Sequence, residues 1–166
     1  MTLTTHAVIG GAIAGSLTHA PLAGLLLAFA THFAADAIPH WDYKLKSRQD
    51  NKEKPLERTL GYGAVFHRDL MVIGMDAFLG FLLITILAWL AGFSFWFIWF
   101  GAALGMLPDA LQFAYHRLGG TTLTAIQYFH VVIMHAKSDL KDKPVWGIFT
   151  QLLLIAIIFY ITLALV

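Results

Sequence analysis

His32, Asp36 and His40 stand four residues apart in turn, so on an α-helix all three share one face. Pro39 should end that helix and tip His40 and Asp42 into its surroundings. Asp69 and Asp76 are seven apart, again one face, with His67 at its mouth; Asp109 and His116 repeat that spacing. His6 opens an apolar segment near the start, and His130 and His135 sit near the close of another. Imidazole and carboxylate without thiolate suit Zn²⁺, or Mn²⁺ and Fe²⁺ where carboxylates dominate. A divalent cation would also offset the repulsion between neighbouring carboxylates. One to three ions would suit this many donors. Such an ion activates water for hydrolysis near neutral pH, and a spare carboxylate, Asp42 or Asp76, would act as general base or bridging ligand.

The elements that must bring these groups together read as membrane helices. Of 166 residues, 58% are hydrophobic and only 13% charged, against about 45–50% and about 25% in soluble domains. One membrane-embedded helical domain over 1–166 is the expectation. A net charge of +1 offers no strongly basic surface for nucleic acid. There is no cysteine, which excludes disulfides, thiolate ligands and a cysteine nucleophile. The opening residues lack the basic stretch of a signal peptide, so the first segment is read as part of the mature domain.

Residues 6–17 are apolar and rich in small residues but short for a span, which needs about 20. Gly10, Gly11 and Gly15 would let a neighbouring helix approach closely. A turn at Thr18–Pro21 leads into residues 21–38, and the pair reads as a hairpin that starts and finishes on one face of the bilayer. Residues 42–63 form a hydrophilic loop or cap. Residues 67–91 and 93–117 read as helices joined at Gly92, 121–137 as an interfacial or packed helix, and 144–166 as an apolar span. The fold class expected is an all-α polytopic bundle: a short hairpin, about three full spans and one packed or interfacial helix.

All eleven Lys and Arg residues fall on one side in this arrangement, which the positive-inside rule makes cytoplasmic. Trp89, Trp96 and Trp99 suit the far interface, Trp41 and Trp146 the near one. Ionisable side chains near a bilayer centre cost at least about 2.5–3.5 kcal/mol each and so normally mark function. Each group also has a plain alternative. Asp109 would cap a helix restarting after Pro108, Asp76 would pair with Arg68 or Arg117, and Gln127 and Gln151 would bond within the bundle. Their common side and depth argue instead for one shallow cavity.

The run His32-Phe-Ala-Ala-Asp36-Ala-Ile-Pro39-His40-Trp-Asp42, with His6 on its Gly-rich segment, Gly105-Met-Leu-Pro108-Asp109, and Phe129-His130 with His135, resembles the small bacterial membrane-bound metal-dependent hydrolases. That group is distantly similar to zinc-dependent phospholipases C. The resemblance implies a helical bundle in the bacterial inner membrane that holds divalent metals, zinc above all, and hydrolyses a phosphoester or similar bond. It implies His6, His32, Asp36 and His40 as ligands, with Asp42, Asp109 and His130 next. The chain departs from the pattern in carrying Pro39-His-Trp-Asp42 and His67-Arg-Asp69, where many relatives have Pro-Asp-x-Asp-His and His-Arg-Gly-x-x-His.

Three functions follow as expectations. The first is a metal-dependent hydrolase of a lipid or amphiphilic phosphoester at the cytoplasmic leaflet, with metal ligands His6, His32, Asp36, His40, Asp109 and His130. Asp42 and Asp76 would handle protons, and Arg68, or Arg117, would stabilise developing charge. The second is a non-catalytic protein that binds or moves metal ions or protons. The third is a lipid-binding scaffold. Below Asp76 and Asp109 the helices turn apolar, so the site reads as a dead-end cup.

Overall fold

A computed structural model describes residues 1–49, 56, 59–118, 121–134, 140 and 142–164. Among these the architecture is all-α: α1 (Leu3–Ser16), α2 (Pro21–Asp36), α3 (Ala64–Ala91), α4 (Phe95–Leu118), α5 (Thr121–Tyr128) running into a π-helical segment (Phe129–Met134), and α6 (Pro144–Ala164). The only strands described are β1 (Arg48–Gln49) and β2 (Thr59–Leu60), paired antiparallel with Arg48 opposite Leu60.

Helices α3, α4 and α6 have 28, 24 and 21 residues and are long and apolar enough to cross a membrane. Phe78 and Leu82 of α3 and Leu152, Leu153 and Tyr160 of α6 are exposed, as side chains facing lipid would be. This is the construction of an integral membrane protein. Trp89 and Trp96 flank the α3–α4 turn and are exposed there, the position of an interfacial aromatic belt. Gly92 ends α3 with φ +69°, a left-handed conformation that favours glycine.

At 14 residues, α1 is about 21 Å long and cannot span the roughly 30 Å hydrocarbon layer. It is buried instead by α2, α3, α4 and α6, all of which it touches. In lipid, apolar burial between helices gives little drive, so close backbone approach must supply the packing. The glycines do this. A Cβ on Gly10 would stand 2.5 Å from the Gly101 carbonyl oxygen, and one on Gly105 would stand 2.5 Å from that of His6. Gly15 likewise lies against the Phe93 ring, which puts the α1–α2 turn beside the α3–α4 turn. The apolar core of Ala7, Ala12, Ile84, Leu87, Ala88, Ile98 and Ala102 occupies this deep half.

Asp76 fixes the other end of α1. Its carboxylate accepts hydrogen bonds from the backbone N–H of Leu3 (2.7 Å) and Thr4 (3.1 Å) and from Thr4 Oγ1 (2.6 Å). Two N–H groups that α1 leaves without an intrahelical partner are thereby satisfied by an anion at the positive end of the helix dipole. Gln151 of α6 accepts from the Thr2 N–H at 2.9 Å and donates to the Trp41 carbonyl at 2.8 Å, the bundle role expected of it. Gln127 is buried, and its Nε2 has no hydrogen-bond partner among the described residues. The hydrophilic segment 42–63 is more ordered than a plain loop where it is described. The buried Asp69 accepts the Ser47 N–H at 2.7 Å, and the β1–β2 ladder follows. Lys52, Lys54, Arg58, His135 and Lys137 lie outside the described residues.

Candidate metal centre

Asp36, the last residue of α2, sits at the centre of a buried polar cluster and is 1% exposed. Its Oδ2 lies 2.9 Å from His130 Nε2 and 3.3 Å from His32 Nε2. Its Oδ1 lies 2.8 Å from the Met1 amine, 3.2 Å from His6 Nε2 and 3.8 Å from His40 Nε2. Asp109 Oδ1 completes the first group at 3.9 Å from both His32 Nε2 and His130 Nε2. His6, His32, His40 and His130 are all buried, whereas Asp109 keeps 26% of its side chain open to an adjoining cavity.

Each ligand is positioned by its element. The i, i+4 spacing puts His32 and Asp36 on the inner face of α2, and Ala37 ends that helix so that His40 folds back to the cluster. Close packing at Gly10 and Gly105 brings His6 against His32, their rings stacked at 3.9 Å. Helix α4 runs unbroken through Pro108, which cannot donate to the Leu104 carbonyl and so loosens the ladder there. The next carbonyl, Gly105 O, accepts a hydrogen bond from His32 Nδ1–H at 2.7 Å. His130 lies in the π-helical segment, a distortion found frequently at functional sites.

The donor set fits a divalent cation on three observations. First, His32 Nδ1–H donates to Gly105 O, and His40 Nδ1–H donates to Ile38 O at 2.7 Å. In the neutral rings this turns each Nε2 lone pair inward, that of His32 toward His130 and that of His40 toward the Met1 amine at 2.8 Å, the orientation that metal-ligating histidines receive from a carbonyl behind them. Second, His32 Nε2 and His130 Nε2 face each other at 3.0 Å. Bonds of about 2.0–2.1 Å to a tetrahedral zinc set neighbouring ligand atoms about 3.3 Å apart, close to the 2.9–3.3 Å separations among His32, His130 and Asp36 Oδ2. Third, both nitrogens of the buried His6 lack a hydrogen bond among the described residues. His32, Asp36, Asp109 and His130 can each offer one ligand atom within 4.8 Å of the others. Asp36 can present its second oxygen to His6, His40 and the Met1 amine. Burial depresses the His40 pKa, and the Met1 ammonium beside it acts in the same direction, both favouring the neutral ring.

The remaining sequence candidates lie elsewhere. Asp42 lines the adjoining cavity together with Tyr43. Burial, then the Asp76 and Asp42 carboxylates, push the Tyr43 pKa up and keep it a phenol. Asp76 is taken up by the N-terminus of α1 and does not pair with Arg68 or Arg117 as its alternative reading had it. Arg68 is half-exposed, with Nη1 3.8 Å from Asp69 Oδ1, and is not among the residues lining the cavity. Arg117 is stacked over Phe66 at 4.1 Å and Tyr62 at 4.3 Å. His67 Nδ1 bonds the Gly63 carbonyl at the exposed start of α3, and His19 is exposed at the opposite end. His116 lines the cavity.

Sequence reasoning did not find the Met1 amine, the Gly105 carbonyl or the cavity. The Gly105 carbonyl had a readable signal: Gly101 and Gly105 recur at four and match Gly10, and Pro108 loosens the helix one turn on. The chain matches no protein-family model, no curated protein and no solved structure.

Proposed function

We propose that the chain is a metal-dependent hydrolase of the bacterial inner membrane, cleaving a phosphoester of a lipid or amphiphile at the cytoplasmic leaflet. The observation that carries the reading is the inward Nε2 lone pairs of His32 and His40, held from behind by carbonyls, around the buried Asp36. Resemblance of the His32–Asp42 run to the membrane-bound metal-dependent hydrolases supports the same class, and the one-sided distribution of Lys and Arg supports a cytoplasmic site.

His32, His130, Asp36 and Asp109 would hold one zinc, manganese or iron ion, and His6 and His40 with the second Asp36 oxygen would hold another. Bound there, a divalent ion supplies Lewis acidity toward a phosphoryl oxygen and an activated water. Asp109 is the member of the set that faces the cavity, so the reacting group is brought to its side. Asp42, on the same cavity wall, would accept the proton of the attacking water. Tyr43, kept protonated and hydrogen-bonded to Asp76, would add a phenol to the same cavity wall.

The test is metal analysis by mass spectrometry on detergent-purified wild type, His32→Ala and Asp36→Ala, followed by phosphodiester and phospholipid hydrolysis with and without chelator. Stoichiometric metal lost in both variants, with chelator-sensitive turnover, is the expected result. Folded wild type that binds no metal after zinc is added would overturn the proposal. Metal without turnover would favour the non-catalytic reading, against which stands the apolar core beneath the cluster, where a conduit would need polar groups.

A further inference from the structure

A cavity of about 480 Å³ adjoins the cluster, a size typical of a site for one small ligand. Leu70, Ile73 and Ala77 of α3 line it opposite Ala103, Leu107 and Ala110 of α4. Aromatic contacts close the two helices at either end of this stretch. Phe81 meets Trp99 edge-on at 5.8 Å on the deep side, and Phe66 stacks with Phe113 at 6.1 Å on the charged side, under Arg117. From residue 66 to 81, α3 rises about 22 Å. Between the two closures lies the cavity, with Met1 and Leu3 also lining it. Leu70 and Leu107 of this lining are 38% and 36% exposed, as side chains at an opening toward the hydrocarbon layer would be.

The cavity is amphipathic along its length. Ile73, Ala77, Phe81, Ala103 and Met106 make an apolar trough, while Asp42, Tyr43, Arg48, Asp109 and His116 gather at the charged end. A ligand matching this has one hydrocarbon chain and a compact polar head. The volume of about 480 Å³ accommodates one such chain and leaves a second outside in the lipid.

The geometry points to a single-chain amphiphile ending in a phosphate ester as the ligand, its chain in the α3–α4 trough and its phosphate beside Asp109. An alkyl or prenyl phosphate and a lysophospholipid share this chemistry. The phosphate's placement rests on the hydrolase reading above; that of the chain does not. Asp42 and Asp109 repel a phosphate unless a cation lies between, so the head requires metal and the chain seat is independent of it.

The experiment is photocrosslinking of the full chain in phosphatidylcholine nanodiscs, using a dodecyl phosphate and a dodecanol that each carry a diazirine on the chain. Crosslinked residues are mapped by mass spectrometry, and metal content is measured on the same samples. Crosslinks concentrated at Leu70, Ile73 and Met106 are expected. They should fall by about tenfold when the trough is filled by Ala77→Phe or Ala103→Phe and persist in Leu79→Phe on the lipid face. Lysophosphatidate or farnesyl phosphate should compete, the stronger of the two identifying the source, and dioleoyl phosphatidate should not. In wild type alone, labelling spread over outward residues such as Phe78 and Leu82, or equal competition by the diacyl lipid, would overturn the inference. Trough labelling by dodecanol in protein that binds no metal would keep the chain seat and discard the hydrolase reading. Metal-loaded protein with an unlabelled trough would do the reverse.

Discussion

Replacing Gly105 by alanine should weaken metal binding although residue 105 offers no ligand atom. An added Cβ would stand 2.5 Å from the His6 carbonyl oxygen and 3.3 Å from Gly10 Cα. Both neighbours are backbone, so neither can swing aside as a flexible side chain would. Helix α1 must retreat from α4 by at least about half an ångström, and overpacking of this kind costs about 1–3 kcal/mol. The retreat carries His6 away from His32 and Asp36, and it strains the carbonyl that holds His32 Nδ1–H. Metal sites tolerate ligand displacements of about 0.2 Å, and disturbing the groups behind the ligands typically costs about 10–100-fold in affinity. Zinc affinity, read by competition with a chromophoric chelator, should fall within that range, and the thermal midpoint in detergent should drop. Gly74→Ala is the control, since nothing lies within 4 Å of its Cβ and alanine favours the helix by about 0.5–1 kcal/mol. If Gly105→Ala binds zinc as tightly as Gly74→Ala, the close approach of α1 and α4 does not set the site's geometry.

Asp36→Asn should abolish stoichiometric metal, because the carboxylate at the centre of the cluster loses its charge. Asp76→Asn should retain metal while costing about 2–3 kcal/mol from charge-assisted bonds to the start of α1, which a comparison of metal content with unfolding midpoints would separate. Asp69→Ala leaves the Ser47 N–H without its carboxylate, a loss of about 1–3 kcal/mol that should appear as faster proteolysis within residues 42–63 at unchanged metal content. Arg117→Ala removes the stack on Phe66 and Tyr62 and should lower the melting midpoint by the equivalent of about 0.5–2 kcal/mol, again with metal retained.

The helices were legible in sequence because length and apolarity alone decide what can cross a bilayer, and the same logic marks residues 6–17 as too short for a span. The periodic spacing of His32 and Asp36 gave the centre of the site, since i, i+4 admits one face only. Distance along the chain hid the rest. Asp76 looked like a site residue because a buried carboxylate in a span normally marks function, yet its depth is that of the first turn of α1, whose N–H groups claim both oxygens. His130 reads as a ligand from its place near the close of the fifth segment, but the π-helical segment that sets its register is something no spacing rule for a regular helix reports. The cavity depends on small residues at 77, 103 and 110 standing opposite one another across two helices, a coincidence visible only once the helices are paired.

The facing of His32 and His130 bears on whether protons or metal ions are the natural occupants of the cluster. An ionised carboxylate buried like Asp36 costs several kcal/mol unless positive charge accompanies it. The Met1 ammonium, 2.8 Å from Oδ1, supplies part of that charge, and protonated imidazoles are another source. His32, with Nδ1–H committed to Gly105 O, would take its second proton on Nε2, which points at His130 Nε2 only 3.0 Å away. Both nitrogens also face Asp36 Oδ2, at 3.3 Å from His32 and 2.9 Å from His130, so a proton here is held against the carboxylate. A divalent cation would be held by both lone pairs together with one oxygen each from Asp36 and Asp109. A relay for protons also needs an exit, and beneath Asp36 the residues packed with Ala12 of α1 are Ile84, Leu87 and Ile98. The apolar packing beneath the cluster is thus the physical ground for proposing a held metal there and not a conducted proton.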